Sequence, residues 1–314
     1  MLQVSAEDVG RLLTPERALA SQEQAFASLA RGESDLADKV LLAGEPGGAS
    51  TLVYAARGRP GAPAAVKLVS VSEGNADRGL PTIVATVFLV DAQTGIVSAM
   101  IDGTSLTTVR TAAASALSVK LLARDDARVL AVLGSGVQAR AHVRAVAGVR
   151  ELERVRIWSP NPAHREAAVA ELAADGYPAE AAAAAEQAVG GADIVCACTH
   201  SAEPVVQGAW LTPGCHVVSV GSYLPHRSEV DDELVARAAV VCVDDRYAAL
   251  HHAGSVMGPV ERGVLDPVRL VTLGELVIGA EAARSSPEQV TFFNSIGLGV
   301  QDAAAAEVVV GLMG

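Results

Sequence analysis

Val129-Leu-Ala-Val-Leu133-Gly134-Ser135-Gly136-Val137-Gln138-Ala139 is the stretch that decides the fold. Its five leading apolar residues read as a strand buried on both faces, and the residues after Gly136 keep helical spacing as far as Gly148. At the turn, Gly134 permits a tight reversal and Gly136, with Ser135 before it, lets backbone approach a pyrophosphate. Val137 and Gln138 open a helix whose first N–H groups are free to meet an anion, and Ala139 lets helix and strand pack closely. The alternative is an ordinary glycine-containing turn. The residues downstream favour the nucleotide reading: a strand at 154–158, a helix at 163–175, and apolar strands at 193–199, 215–221 and 240–244. Buried strands alternating with helices predict a doubly wound parallel sheet, an α/β unit of Rossmann type. The alanine tract at 181–185 reads as a helix.

Upstream the pattern is different. A helix over 14–30 starts at Thr14-Pro15 with Glu16 in its first turn, and a glycine-rich connection follows at 44–48. Strand-like runs stand at 51–55, 64–71, 83–90 and 96–101. The last two are separated by Asp91-Ala-Gln-Thr-Gly95, a connection of hairpin length that predicts antiparallel pairing. A helix over 105–124, rich in alanine and serine, leads into the parallel unit. After Gly254 the alternation weakens, and a run at 290–295 with a final helix at 300–313 either closes the parallel unit or packs back on the first.

The chain has 314 residues, half of them apolar and 19% charged, enough for two domains with real cores. Its 24 Lys and Arg stand against 36 Asp and Glu, a formal charge of −12 with no basic block, which argues against nucleic acid as a partner. No apolar run has the ~18 to 20 residues of a membrane span, and the first residues lack a secretory pattern, so a cytoplasmic protein without a membrane partner is expected. The four cysteines fall in or beside apolar runs and read as small buried hydrophobes, with no metal implied.

At the end of the second parallel strand, where NAD-preferring sites place a carboxylate on the ribose, the sequence is Trp158-Ser159-Pro-Asn161-Pro-Ala-His-Arg165. No acid stands there. Ser159 and Asn161 can bond a 2′-phosphate, and Arg165 either offsets its charge or is a solvated helix residue, so NADP(H) is favoured and NAD(H) is the alternative. In the first third, strand alternation puts Lys67 on the face of Val69 and Val71. It is either a ligand for an anionic substrate with a lowered pKa or an edge residue reaching to water. Arg110 either clamps a carboxylate with its planar fork or pairs with Asp102. Asn75 and Thr82 belong to a loop that either lines the same cleft or simply turns the chain.

Together these stretches resemble the ornithine cyclodeaminase/mu-crystallin family. The blocks that carry the resemblance are Lys67-Leu-Val-Ser-Val71 with Asn75 and Gly79-Leu-Pro-Thr82, Asp91-Ala-Gln-Thr-Gly95, and Ile101-Asp-Gly-Thr-Ser-Leu-Thr-Thr-Val-Arg110-Thr-Ala-Ala-Ala-Ser-Ala116. Gly134-Ser-Gly-Val-Gln-Ala-Arg140, Thr199-His-Ser201-Ala-Glu-Pro204, Val220-Gly221 and Ser295-Ile-Gly297 with Asp302 continue it. The resemblance implies a homodimer with a substrate-binding and dimerisation domain at 1–124, joined by the C-terminal helix at about 298–314, and a dinucleotide-binding domain at 125–297. It implies that Lys67 and Arg110 bind a substrate carboxylate, with Lys67 also the proton donor, that Lys39 stands near a further carboxylate-binding position, and that Thr199, Ser201, Val220 and Gly221 contact the cofactor. Where cyclodeaminases carry an aspartate two residues after the Val-Gly pair, this chain has Tyr223, a poor substitute for a carboxylate at neutral pH. Ser228-Glu229-Val-Asp-Asp232 reads as a helix start. The expected activity is NAD(P)H-dependent reduction of a carboxylate-bearing imine such as a cyclic ketimine. The alternatives are an ornithine or lysine cyclodeaminase, an alanine-type dehydrogenase, and an NADP-binding protein with little catalysis.

Overall fold

The computed structural model describes residues 1–45 and 48–313, so Pro46 and Gly47 of the glycine-rich connection, and Gly314, lie outside the described residues. It forms two compact units, Met1–Arg110 with Leu298–Gly314, and Thr111–Gly297.

Among the described residues the first unit has seven strands: β1 (Leu2–Val4), β2 (Asp35–Leu36), β3 (Val40–Leu42), β4 (Ser50–Arg57), β5 (Ala64–Val71), β6 (Ile83–Val90) and β7 (Val97–Asp102). They run in the order β1-β7-β6-β5-β4-β2, with β3 also beside β4, and only β1 and β7 pair in parallel. The predicted hairpin joins β6 to β7, and Gly95 takes φ +71° in its turn, a region that favours glycine. Two helices precede the long strands. In α1 (Ala6–Leu12) Ser5 and Asp8 form a capping box, and in α2 (Pro15–Ala30) the Thr14 hydroxyl accepts the Arg17 N–H. The C-terminal helix, Gly299–Gly311, packs on α2, β4 and β5, which answers the question its sequence left open. Alternation then sorts each strand: Leu52, Tyr54 and Ala56 of β4 and Ala65 and Lys67 of β5 are buried, while Leu68 and Val84 stay exposed on the other face.

Helix α3 (Gly103–Leu122) follows β7 directly, two residues earlier than its composition suggests, because the Asp102 carboxylate accepts the Ser105 N–H and caps it. The change of unit falls inside this helix, after Arg110 and not after residue 124.

The second unit holds eight strands: β8 (Val129–Leu133), β9 (Arg154–Trp158), β10 (Ala179–Ala181), β11 (Ile194–Ala197), β12 (His216–Ser219), β13 (Ala238–Val243), β14 (Leu270–Thr272) and β15 (Val290–Asn294). Their order is β10-β9-β8-β11-β12-β15-β13-β14, and every pair is parallel. The connecting helices are α4 (Val137–Ala147), α5 (Pro162–Ala174), α6 (Ala185–Val189), α7 (Asp232–Arg237), α8 (Arg246–His252), α9 (Gly254–Glu261) and α10 (Leu273–Val277). The order reverses between β8 and β11, and ligands of such sheets bind outside the carboxyl ends of the strands at that point.

The expectation for the alanine tract is corrected. The alanine tract is not a helix: Ala181 pairs with Ile157, and the Ala182 N–H donates to the Ile157 carbonyl. Ladder bonds along the sheet edge outweigh alanine's helical propensity until α6 begins at Ala185. The helix start read at Ser228 to Asp232 is present: Asp231 caps α7, which begins at Asp232, and Glu229 is buried just ahead of it. Cys196, Cys215 and Cys242 are buried and Cys198 is half-buried, all as free thiols. Among the described residues no helix is long and apolar enough to cross a membrane, and no group of three His, Cys, Asp or Glu is placed to hold a metal ion.

Candidate active site

In the first unit, β5 turns Lys67 to the covered face of the sheet, where it is 2% exposed. A bare ammonium there would be very costly, so its partners are informative. Its Nζ lies 2.7 Å from Asp302 Oδ2, an ion-pair contact off the direction of a hydrogen bond, and 3.5 Å from Thr107 Oγ1. The ring of Tyr54, its cross-strand neighbour on β4, has its centroid 4.6 Å from the same nitrogen. Arg110, on the first turns of α3, donates from Nε to the other oxygen of Asp302 at 2.9 Å and from Nη1 to Gln301 Oε1 at 3.3 Å. Gln301 Oε1 also accepts the Leu298 N–H at 2.7 Å, which fixes the start of the C-terminal helix.

The pairing of Arg110 with Asp102 is therefore replaced by pairing with Asp302, because Asp102 is occupied in capping α3. Lys67 is no edge residue reaching to water. Two cations share one carboxylate in a buried cluster, leaving one positive charge without a counterion among them. Burial is the largest influence on Lys67 and lowers its pKa to about 8; Asp302 opposes that shift and Arg110 adds to it.

The other predicted residues of this unit are placed differently. Asn75 donates from Nδ2 to the Pro81 carbonyl, and the Thr82 carbonyl accepts the Ser72 N–H, so both close the loop ahead of β6. Lys39 is half-buried just before β3, its pKa lowered to about 8 by burial against the pull of Asp38. Tyr54, Thr107 and Gln301 were not singled out from the sequence. Strand alternation over 51–55 was the available signal for Tyr54, whereas nothing local marks Gln301.

In the second unit the turn after β8 fits a dinucleotide phosphate. Gly134 takes φ +118°, and a Cβ there would strike the Cys198 carbonyl oxygen, so β8 and the residues after β11 meet with no side chain between them. Gly136 caps α4 without a side-chain hydrogen bond, and a Cβ at that position would meet nothing within 4 Å. Val137, Gln138 and Ala139 thus form a first turn of uncapped N–H groups beside open space, as a diphosphate requires. Ala139 is buried against the strand and Val137 exposed. Arg140 donates from Nη1 to the Ser135 carbonyl, holding the turn from behind.

Beyond β9, the Asn161 side chain accepts the His164 N–H and caps α5, while the buried Ser159 donates from Oγ to the Asn161 carbonyl. Arg165 donates from Nη1 to the Ser159 carbonyl, so its guanidinium is anchored at this turn; the stretch Ser159 to Arg165 holds no acid, and Glu166 follows it on α5. Past β11 and β12, the structure brings Thr199, Ser201 and Gly221 together: Thr199 and Gly221 bond the buried Glu229, and the Ser201 N–H donates to Thr199 Oγ1. Val220 donates its N–H to the Ala197 carbonyl, and Tyr223 is half-buried in the same loop.

A profile of the ornithine cyclodeaminase/mu-crystallin family matches residues 1–312. The chain is 37% identical over 235 residues to a Delta(1)-pyrroline-2-carboxylate reductase of Paracoccus denitrificans, covering 74% of this chain and 73% of that one. Among solved structures it superposes on Thermococcus litoralis Delta(1)-pyrroline-2-carboxylate reductase in complex with NADH and L-proline. The TM-score is 0.96 with 31% identity, over 99% of this chain and 97% of that one. An archaeal alanine dehydrogenase dimer with bound NAD gives a TM-score of 0.93 with 31% identity, over 99% and 95% of the two chains.

Proposed function

Because the chain belongs to the ornithine cyclodeaminase/mu-crystallin family, we propose that it is an NAD(P)H-dependent oxidoreductase reducing a carboxylate-bearing cyclic imine, such as pyrroline- or piperideine-2-carboxylate, to the amino acid. The carrying observation is the buried cluster of Lys67, Arg110 and Asp302. Its surplus positive charge is completed by one carboxylate, and the guanidinium supplies a directional donor for it. Delta(1)-pyrroline-2-carboxylate, in the name of both reductases, and L-proline, in complex with the solved one, both carry such a group.

The first unit binds and orients the imine, and the second holds the dinucleotide at the turn 134–139. When bound, the nicotinamide supplies the two-electron reductant. Lys67 keeps the C=N nitrogen protonated, since its lowered pKa near 8 makes the ammonium a usable acid at neutral pH. Arg110 holds the substrate carboxylate with its planar fork while that proton moves. Asp302 holds both cations on one side of the cluster, so neither needs to reorganise as charge shifts.

Tyr223 supports imine reduction over cyclodeamination, which needs a base able to take a proton from an ammonium at neutral pH. The purified protein is expected to oxidise NADPH with a cyclic ketimine carboxylate and to release negligible ammonia from ornithine, with Lys67→Ala abolishing turnover. Efficient ornithine-to-proline conversion without ketimine turnover overturns the reading.

NADPH is expected to bind more tightly than NADH, on the anchored Arg165 and the missing acid after β9. The NADH and NAD of the solved relatives make both titrations necessary. Fluorescence titration checks the preference, and Arg165→Ala should erase it. Asn161→Ala should lower the melting temperature through lost capping and leave the ratio of the two affinities unchanged.

The expected homodimer has a surface suited to it. On the uncovered face of the first sheet, Val40, Val53, Leu68 and Thr86 lie in one cross-strand row and Leu42, Thr51, Ser70 and Val84 in the next, with Val40, Leu42, Leu68 and Val84 all exposed. Contiguous apolar surface of this kind marks an interaction site, and a second copy is the occupant proposed.

A further inference from the structure

Glu229 is completely buried in the segment between β12 and α7, and among the described residues it has no ion-pair partner. Its carboxylate is nonetheless saturated. Oε1 accepts the Thr199 N–H at 2.6 Å and the Thr199 hydroxyl at 2.8 Å, while Oε2 accepts the Ser219 hydroxyl and the Gly221 N–H, both at 2.7 Å. The rest of the residue is equally engaged: its N–H donates to Ser222 Oγ, and its carbonyl accepts the Val205 and Val206 N–H groups. One carboxylate thus ties the first residues after β11 to the first residues after β12.

The place of this tie gives it meaning. Cys198, next to Thr199, is the residue whose carbonyl abuts Gly134 at the phosphate turn, and Gly221 packs so closely on the Thr199 carbonyl and Glu229 that no Cβ fits there. The staple therefore lies at the carboxyl ends of the strands beside the point where the sheet order reverses, and the segment it holds carries Tyr223. Burial pushes the carboxyl's pKa up and the four donors oppose that shift.

We propose that Glu229 is a positioning residue for the reaction, holding the loops after β11 and β12 in the arrangement that receives the nicotinamide end of the dinucleotide. The inference rests on the reading given under Proposed function. Its chemistry is specific about what a substitution does. Hydroxyls rotate to suit an acceptor or a donor, but backbone N–H groups do not. In Glu229→Gln the amide nitrogen must face either the Thr199 N–H or the Gly221 N–H, so one loop start loses its acceptor and meets a donor.

The test compares wild type, E229Q and D193N at a temperature where circular dichroism shows all three folded. Asp193 accepts the Arg128 and Val129 N–H groups at the amino end of β8, away from the ligand-binding ends of the strands, and serves as a destabilised control. For E229Q the dissociation constant for NADPH, read by fluorescence without any imine, is expected to rise about tenfold or more. Its kcat should fall while the KM for the imine stays within about twofold of wild type, because Lys67 and Arg110 are untouched. D193N should melt lower with wild-type dinucleotide affinity. If E229Q does not fold, S219A, which removes a single hydroxyl donor, should show the same split at a few-fold level. Unchanged NADPH affinity and kcat in E229Q, or in S219A where E229Q is unfolded, overturn this inference alone. A wild-type chain that binds neither NADPH nor NADH overturns it together with the proposed function.

Discussion

Lys67 carries an ammonium into the covered side of a sheet because β5 pairs along all eight of its residues with both neighbours, and the two-residue period leaves its side chain no other direction. The charge persists there through Asp302 and the Tyr54 ring, yet burial dominates and brings the pKa to about 8. The lysine is charged below its folded pKa and neutral above it, so the anion binding and proton donation proposed for it should both fade as pH rises through about 8. The expected profile of kcat/KM for the imine falls above that pH with the slope of one proton, and dinucleotide affinity stays flat. A profile level to pH 10 would mean that Lys67 neither donates the proton nor binds the anion.

Helix α3 shows what an element contributes beyond its own sequence. Its first turns present Arg110 to the cluster of the first unit, and its later turns belong to the second unit, where Ser115 Oγ lies 2.8 Å from His142 Nε2 and Ser118 Oγ lies 3.1 Å from His216 Nε2. The other ring nitrogens are also used, by the Gln138 carbonyl and Thr291 Oγ1. Burial lowers the two histidines to about 4 and about 3, respectively, so both are neutral in the folded protein. The unfolded chain takes up protons near pH 6.5, where the folded chain does not. Stability is therefore full above about 6.5 and falls with acidification toward 4, by up to ~1.4 kcal/mol per pH unit for each histidine. Urea unfolding midpoints at pH 7.5 and 5 should show this loss, and His142→Gln should lessen it; equal midpoints would place the protons elsewhere.

For the whole molecule, the apolar rows on the outer face of the first sheet lead to a solution property. Leu68 sits next to Lys67 in sequence and points the opposite way, 42% exposed against 2% for the lysine. Leu68→Lys is therefore expected to shift sedimentation from twice the 32.0 kDa chain mass to the monomer while leaving the melting of isolated chains nearly unchanged. A wild-type protein sedimenting as a 32.0 kDa species at micromolar concentration would remove the dimer from the proposal.

Most of the architecture was already written locally. The apolar run ending at Gly134 predicted β8 at its observed limits, the stretch 154–158 did so for β9, and alternation did the same for β5 and β6, because a strand's pattern is set by neighbours two residues apart. Gly134 marked the turn after β8 for the same reason: its φ of +118° is a backbone conformation set by a single residue. Tertiary structure alone decided who pairs with whom. Asp302 meets Lys67 and Arg110 from 235 and 192 residues away, and Glu229 reaches back 30 residues to Thr199. Neither carboxylate carries a local signature, since the cost of burying a charge is offset only by partners that the completed fold delivers. The alanine tract failed in the opposite sense, its helical preference of a few tenths of a kcal/mol per residue being smaller than what the sheet edge offered.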